Sequence, residues 1–207
     1  MIDEITKLKQ QLVAAGHFMH EKGWVPATSG NFSARLSNGD IAITVSGAHK
    51  GKMTVDDIMM INSDGEILPG SEKKPSAETL LHVQIYRHFP NAHCILHPHT
   101  IHATVLSRIK KNEICLQDYE LLKAFENIST HEYTMKIPVF KNDQNIPRLA
   151  ASIAKYLDRQ IPLSGYIIEG HGFYTWGKSV ESCLNQVEAL EFLLQCEYMK
   201  MASGERE

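Results

Sequence analysis

Apolar residues near the start of the chain recur at helical spacing, and farther on they alternate with polar residues. The first pattern predicts a helix that begins after Asp3 and ends at Gly23. The second predicts a hairpin in which positions 32, 34 and 36 pair with positions 41, 43 and 45 across a type I′ turn at Asn38-Gly39. Strict alternation of this kind predicts that one face of the hairpin is buried.

The same two patterns predict the elements of the remaining chain. A second tight hairpin is expected over 60–68, and helices are expected over 76–88, 100–108, 118–123, 147–157 and from 179 onward. Strands are expected over 94–97, 133–140, 165–168 and 172–176. Hairpins mixed with helices predict an α/β fold in which a mostly antiparallel sheet is covered by helices on both faces, in a single domain over residues 1–207.

Charge and cysteine content narrow the classes of partner and compartment. The formal net charge of -3 provides no general attraction to nucleic acid or to an anionic membrane, so we expect neither as a partner. The four cysteines contain no Cys-x-x-Cys pair, and the first residues do not have the order of a signal peptide. We therefore expect a reduced, cytoplasmic protein.

Candidate metal ligands close the apolar run that begins at residue 94. His97 and His99 flank Pro98, and side chains at i and i+2 of an extended segment point to the same side. His171, between two glycines, is the candidate third ligand. Three histidines with one open position are typical of catalytic zinc, although histidines beside a proline are often only core or surface residues.

Small polar residues that could bind an anion occur in three separate segments. Asn31 precedes the first hairpin, Ser46-Gly47 follows it, and Ser76 begins a predicted helix whose free N–H groups favour a phosphate. Lys52 lies nearby and could add positive charge. The same residue types are common in ordinary loops, so each segment alone is weak support for a phosphate site.

Two glutamates are candidates for acid–base chemistry. Glu78 falls in the first turn of the helix predicted from residue 76, where the helix dipole favours any carboxylate. Glu120 falls in the helix predicted over 118–123, where an exposed glutamate is usually only solvated. The residues themselves leave the roles of both glutamates open.

Taken together, these segments resemble the class II aldolase/adducin family over nearly the whole chain. The matching segments, in order, are Thr28-Ser29-Gly30-Asn31-Phe32-Ser33, Val45-Ser46-Gly47, Pro75-Ser76-Ala77-Glu78, His97-Pro98-His99 and Gly170-His171-Gly172. The stretches 23–33, 117–123 and 172–177 look most like the branch of this family that removes water from 5-methylthioribulose 1-phosphate in methionine salvage.

The resemblance implies a three-layer α/β/α fold, a homotetramer, and one Zn²⁺ per subunit held by His97, His99 and His171. It also implies that Glu120 is the acid/base glutamate of the dehydratase branch, whereas Glu78 matches the carboxylate that sugar-phosphate aldolases use. The substrate would be a ketose 1-phosphate.

Two other functions are compatible with the same resemblance. A class II aldolase or epimerase acting on fuculose or rhamnulose 1-phosphate would use the same metal and break or rearrange a different bond. A non-catalytic binding module of the adducin type would keep the fold without the metal chemistry, but the three histidines argue against it.

Overall fold

The computed structural model describes residues 3–70, 72–159 and 161–204. Its helices are α1 (Glu4–Glu21), α2 (Thr79–His88), α3 (Ile101–Ile109), α4 (Ile146–Leu157) and α5 (Val180–Ala202). Its strands are β1 (Asn31–Arg35), β2 (Ile41–Thr44), β3 (Ile58–Ile61), β4 (Cys94–His97), β5 (Glu113–Leu116), β6 (Met135–Phe140), β7 (Gly165–Ile168) and β8 (Gly172–Gly177). Within the described ranges, none of the helices is both long and apolar enough to cross a membrane.

All eight of these strands form one sheet in the order β3-β2-β1-β4-β8-β7-β6-β5. Neighbouring strands are antiparallel except β6 and β7, which are parallel. Strand β4 lies at the centre, where its register places His97 opposite Asn31 on β1 and Leu96 opposite Thr175 on β8. The mostly antiparallel sheet that the sequence predicts is confirmed.

Helices cover both faces of this sheet, which confirms the predicted three-layer α/β/α arrangement. One apolar core contains residues of α1, α3 and α5, and the other contains residues of α2 and α4. Strands β1 and β2 are therefore buried along almost their whole length. The prediction that only one face of this hairpin is buried was wrong, because polar residues such as Ser33 and Thr44 are buried as well as the apolar ones.

The first hairpin turns through a different loop from the one predicted. The Leu36 N–H donates to the carbonyl of Asp40, and the Gly39 N–H donates to the carbonyl of Leu36. Gly39 has φ +93°, whereas Asn38 keeps a negative φ and its side chain accepts a hydrogen bond from the Asp40 N–H. The connection is thus a three-residue loop with a type I-like turn, not a type I′ turn.

The second predicted hairpin is only partly formed. Strand β3 ends at Ile61, and Ile61 makes a single bridge to Ile67 on the return segment. The Asn62 side chain accepts hydrogen bonds from the N–H groups of Asp64 and Glu66, so a side-chain turn replaces further strand pairing.

Two helix predictions also need correction. Helix α2 begins at Thr79 and not at Ser76, because Pro75 pairs with Val45 and the Ser76 N–H donates to the carbonyl of Thr44. The helix predicted over 118–123 is a short 3₁₀ helix, Glu120–Ala124, and Asp118 has φ +61° and does not cap it. Strand β5, at the edge of the sheet, was not predicted.

Helix α5 supplies much of the core beneath the central strands, which gives a test of the fold. We expect Leu190→Ala, which opens a cavity at a fully buried position, to lower the free energy of unfolding by about 2 to 5 kcal/mol. Urea denaturation measures this change. Ile109→Ala is the control, because that side chain is half exposed and its truncation should cost much less. Equal losses in both variants would contradict the proposed packing.

Candidate metal centre

Three histidines converge at one end of the central strands. His97 is the last residue of β4, His99 follows after Pro98, and His171 lies in the turn between β7 and β8. One ligand atom from each lies within 4.8 Å of the others. The structure therefore brings together the three predicted ligands, and this group could hold a metal ion.

Helix α3 holds the turn that carries His171. The single hydrogen of the Thr104 hydroxyl is shared between the carbonyl of Thr100, at 2.7 Å, and that of His171, at 2.9 Å, and the Gly170 N–H donates to the Ser107 hydroxyl at 2.9 Å. Gly170 has φ +63°, a conformation that glycine adopts at low cost. Because Thr100, the residue after His99, caps α3, this helix lies next to both His99 and the turn that carries His171, while His97 is held by the pairing of β4.

Hydrogen bonding and burial favour the uncharged form of His97 and His99, which can bind a cation. His97 Nδ1 lies 2.8 Å from the carbonyl of Phe173, so this nitrogen carries the proton and Nε2 keeps its lone pair. Burial and the neighbouring His171 hold the pKa of His97 well below its usual range, and burial together with His97 and His171 lowers the pKa of His99 to about 2. Neutral imidazoles are the form that binds metals.

The spacing of the ring nitrogens also fits a metal. His97 Nε2 and His99 Nε2 are 3.0 Å apart, and the lone pair of His97 faces His99. Electron-rich nitrogens at this distance repel unless a proton or a cation lies between them. The donor set is that of three-histidine zinc sites, in which a fourth position remains for water or substrate.

A carboxylate lies against this cluster. Glu78 Oε2 is 3.3 Å from His97 Nε2, and Glu78 Oε1 is 3.5 Å from His171 Nε2. The side chain makes no capping bond to α2, although Glu78 is the residue from which that helix starts. The helix dipole therefore does not account for the position of this carboxylate, which lies against two of the candidate metal ligands.

Tyr174 connects the carboxylate to a candidate ligand, and sequence reasoning did not select it. Its ring stacks on His97 with the centroids 3.9 Å apart, and its hydroxyl donates to Glu78 Oε2. Burial and the nearby Glu78 raise the pKa of Tyr174 well above its usual value, so the hydroxyl keeps its proton. The available signal was its place on β8, three residues after His171, but the contact with Glu78 spans 96 positions of the chain.

The residues predicted to bind an anion lie beside the same carboxylate. Asn31 Nδ2 donates to Glu78 Oε2 at 2.8 Å. The Ser46 N–H donates to the carbonyl of Lys74, which places Ser46-Gly47 alongside the segment that leads into Ser76. Because Ser76 uses its own N–H to pair with β2, its hydroxyl and not its backbone is the group left to donate to an anion.

Lys52 and Lys50 differ in how far their side chains are exposed. Lys52 is exposed. Lys50, whose side chain is 1% exposed, donates to the carbonyl of Ala48 at 2.7 Å and to that of Thr28 at 3.4 Å, so its amine joins two of the predicted anion-binding segments. Burial lowers the pKa of Lys50 to about 8, and its charge acts on His97 and His99. Sequence reasoning did not select Lys50 as a site residue.

Glu120 lies elsewhere on the surface of the chain. Its side chain is 75% exposed and pairs with Lys123 at 2.6 Å, which lowers the pKa of this carboxyl. Within the described residues, Glu120 is not in hydrogen-bonding or ion-pairing contact with the three histidines or with Glu78. The chain by itself thus brings Glu78, and not Glu120, to the candidate metal centre.

Comparison with known families matches the chain over most of its length. The model of the family "Class II Aldolase and Adducin N-terminal domain" matches residues 10–198. A methylthioribulose-1-phosphate dehydratase of Methylococcus capsulatus is 57% identical over 187 residues, which cover 90% of this chain and 91% of that protein. A protein of the same name from Pseudomonas paraeruginosa is 49% identical over 199 residues, covering 95% of this chain and 96% of that protein.

Solved structures show the same fold at lower identity. An L-fuculose 1-phosphate aldolase superposes with a TM-score of 0.81 and 22% identity, covering 99% of this chain and 90% of that one. The L-fuculose-1-phosphate aldolase of Thermus thermophilus superposes with a TM-score of 0.75 and 23% identity, covering 97% and 98% of the two chains. The class II aldolase fold that the sequence resemblance implies is therefore confirmed.

The turn that carries His171 provides a test of the metal centre. A Cβ at Gly172 would lie 2.2 Å from the carbonyl oxygen of Pro98 and 3.1 Å from ring carbons of His97 and His99. We expect Gly172→Ala to displace the histidines and to weaken zinc binding at least about tenfold, measured with a competing chelator.

Gly170→Ala is the matched control in the same turn. Its Cβ would make only ordinary contacts with Arg108, although the positive φ should lower stability slightly. Zinc affinity that is unchanged in Gly172→Ala, or that falls equally in both variants, would argue against the site.

Proposed function

The chain belongs to the class II aldolase and adducin family, and on this basis we propose that it dehydrates 5-methylthioribulose 1-phosphate to 5-methylthio-2,3-dioxopentyl 1-phosphate. The observation that carries the proposal is a carboxylate held against two of three converging histidines. The names of the relatives that match over nine-tenths of the chain supply the substrate and the bond that is broken.

We propose zinc as the metal and His97, His99 and His171 as its ligands. Bound there, Zn²⁺ supplies a Lewis acid that polarises the C2 carbonyl of the ketose and stabilises the negative charge that develops when the C3 hydrogen is removed. The protein contributes the preset tautomer of His97 and the fixed turn of His171. Both features lower the cost of ordering the ligands when the metal binds.

Removal of water requires that one proton leave C3 and that one hydroxyl leave C4. A carboxylate accepts the C3 proton, and a carboxylic acid returns a proton to the departing C4 hydroxyl, which leaves as water. The resulting enol then becomes the 2,3-diketone. One carboxyl group that first accepts and then donates the proton can serve both steps.

Glu120 is the proposed acid/base, and Glu78 is the proposed additional group beside the metal. Glu120 is exposed on its own chain, so we propose that it reaches the site of a neighbouring subunit in the homotetramer. Glu78 faces His97 and His171 of its own chain, which supports its proposed role as an additional acid/base group.

We propose that the substrate phosphate binds against Asn31, Ser46, Gly47 and Ser76. The side chains of Asn31, Ser46 and Ser76 and the Gly47 N–H lie around the start of α2 and offer N–H and O–H donors, whereas the Ser46 N–H is used on the carbonyl of Lys74. Lys52, the weaker candidate, is exposed, whereas the buried amine of Lys50 supports the loops on either side. Binding energy at the phosphate then orients the reacting carbons.

Ketose-phosphate aldolase chemistry is the second candidate function. The observation that favours it is Glu78, since the resemblance assigns this carboxylate to sugar-phosphate aldolases and the structure places it against the histidines. An aldolase would cleave the C3–C4 bond and release dihydroxyacetone phosphate from fuculose or rhamnulose 1-phosphate. A binding module of the adducin type would do neither.

The substrate assay separates these functions. We expect zinc-loaded protein to convert 5-methylthioribulose 1-phosphate to the diketone, and we expect chelation of the metal to abolish turnover and re-addition of zinc to restore it. Product formation is followed by mass spectrometry, with metal content measured on the same sample. Recovery of intact substrate together with dihydroxyacetone phosphate from fuculose 1-phosphate would favour the aldolase, and a zinc content near zero would favour the binding module.

The proposed role of Glu120 is tested by complementation between subunits. We expect Glu120→Gln to bind zinc normally and to lose turnover, and His171→Ala to lose both. Refolded as an equal mixture, the two inactive variants should recover about a quarter of the wild-type rate, because half of the metal sites are intact and half of their neighbours supply Glu120.

Glu126→Gln is the matched control for complementation, since Glu126 is also on the surface and pairs with Lys178. This variant should keep full activity. Normal activity in Glu120→Gln would exclude the residue as the acid/base, and inactivity of the mixture would exclude its action on a neighbouring subunit.

A further inference from the structure

A network of buried side chains, connected by hydrogen bonds, leads to Asn31. His82 Nε2 is 2.5 Å from Asn31 Oδ1, and His82 Nδ1 is 2.7 Å from the Ser33 hydroxyl. The Ser33 hydroxyl is in turn 2.9 Å from the Tyr86 hydroxyl. His82 and Ser33 are fully buried, and Tyr86 is buried as well. This hydrogen-bond network extends from buried side chains on α2 and β1 to Asn31, and through Asn31 to Glu78.

The donor and the acceptor of each hydrogen bond in this network can be assigned by starting from its two ends, Glu78 and Tyr86. Glu78 Oε2 accepts from both Asn31 Nδ2 and the Tyr174 hydroxyl, so it carries no proton of its own. Asn31 therefore turns its amide nitrogen to Glu78 and its carbonyl oxygen to His82. That oxygen can only accept, and so His82 Nε2 must be the protonated nitrogen.

The hydrogen bonds between His82, Ser33 and Tyr86 run in the same direction. Burial lowers the pKa of His82 to about 4, so at neutral pH the ring has one N–H, and Nδ1 is an acceptor. The Ser33 hydroxyl donates to Nδ1 and accepts from the Tyr86 hydroxyl, which keeps its proton because burial raises its pKa well above the usual value. Each of these buried groups then has a partner of the right kind.

From this geometry we propose that His82 is a positioning residue that sets the orientation of the Asn31 amide, and thereby gives the site its affinity for an anion. Asn31 Nδ2 has two hydrogens. One is donated to Glu78, and the second, which is also within hydrogen-bonding reach of the Tyr174 hydroxyl, can turn to a bound phosphate. This inference rests on the proposed function in one respect, the phosphorylated substrate.

The opposite orientation of Asn31 shows why the direction matters. If the amide were reversed, its carbonyl oxygen would lie about 2.8 Å from Glu78 Oε2 and would face the phosphate as a second acceptor. Both contacts would be repulsive, and the amide nitrogen would face His82 Nε2. His82 touches neither the metal ligands nor the substrate, yet its tautomer selects the orientation that favours an anion.

Two amide substitutions separate this role from simple filling of the core. The Nε2 atom of a glutamine reaches about the same point as Nε2 of histidine, whereas the amide of an asparagine reaches only the position of Nδ1. His82→Gln therefore keeps the donor to Asn31, and His82→Asn keeps a partner for Ser33 but loses that donor. Both variants remain polar and similar in size, so they are matched in the cost of burial.

The first experiment measures binding of inorganic phosphate to the zinc-loaded protein by titration calorimetry. We expect His82→Asn to weaken phosphate binding about tenfold or more, and His82→Gln to remain within about threefold of the wild type. Gln186→Leu is the control, since it removes another buried side-chain hydrogen bond, to Thr175, at a position away from Asn31. It should lower stability without changing phosphate affinity.

The second experiment is independent of any substitution. Imidazole ¹⁵N shifts of the wild-type protein should show His82 as the Nε2–H tautomer at neutral pH. The Nδ1–H tautomer, or equal phosphate affinities in the Asn and Gln variants, would overturn the inference. Because phosphate binding and the tautomer do not depend on which reaction occurs, a failed dehydratase assay leaves this test intact.

Discussion

The pairing of β4 with β1 on one side and β8 on the other is the constraint on which the site depends. This pairing puts His97 opposite Asn31, and it brings the carbonyl of Phe173 to within 2.8 Å of His97 Nδ1. A candidate metal ligand, its tautomer and the residue opposite it on β1 are thus fixed by backbone hydrogen bonds in the middle of the sheet. Side chains held by such pairing need little further ordering when a ligand binds.

Glu78 connects residues of the central strands to the candidate metal centre. Its two oxygens have different surroundings, since Oε2 accepts from Asn31 and Tyr174 while Oε1 faces His171. Two groups of side chains meet at Oε2. One is the hydrogen-bond network that includes His82, and the other is Tyr174, whose ring stacks on His97. Two separate parts of the core therefore hold one carboxylate in one orientation, with Oε2 beside His97 and Oε1 beside His171.

The candidate metal ligands could be selected from the sequence because their signal is local. Two imidazoles on either side of Pro98 share a side by backbone geometry alone, and His171 stands out because a glycine lies on either side of it. Lys50, His82 and Tyr174 could not be selected in this way, since their roles depend on contacts that are made only when distant strands pair. His82, for example, meets Asn31 across 51 positions. The start of α2 was misplaced for a related reason, because pairing of residues 75–76 with β2 outweighs the local preference for a helix.

Burial of the sheet on both faces has a consequence for how this protein can change. The strands and the helices against them leave little room for a substrate, so the reacting molecule must approach at the strand ends, where the loops at 46–47 and 170–171 lie. The loop at 46–47 can lengthen or exchange residues without disturbing the packed layers, whereas the turn at 170–171 carries a candidate metal ligand and must be kept. Preference among substrates can therefore change at one loop while the candidate metal centre stays as it is.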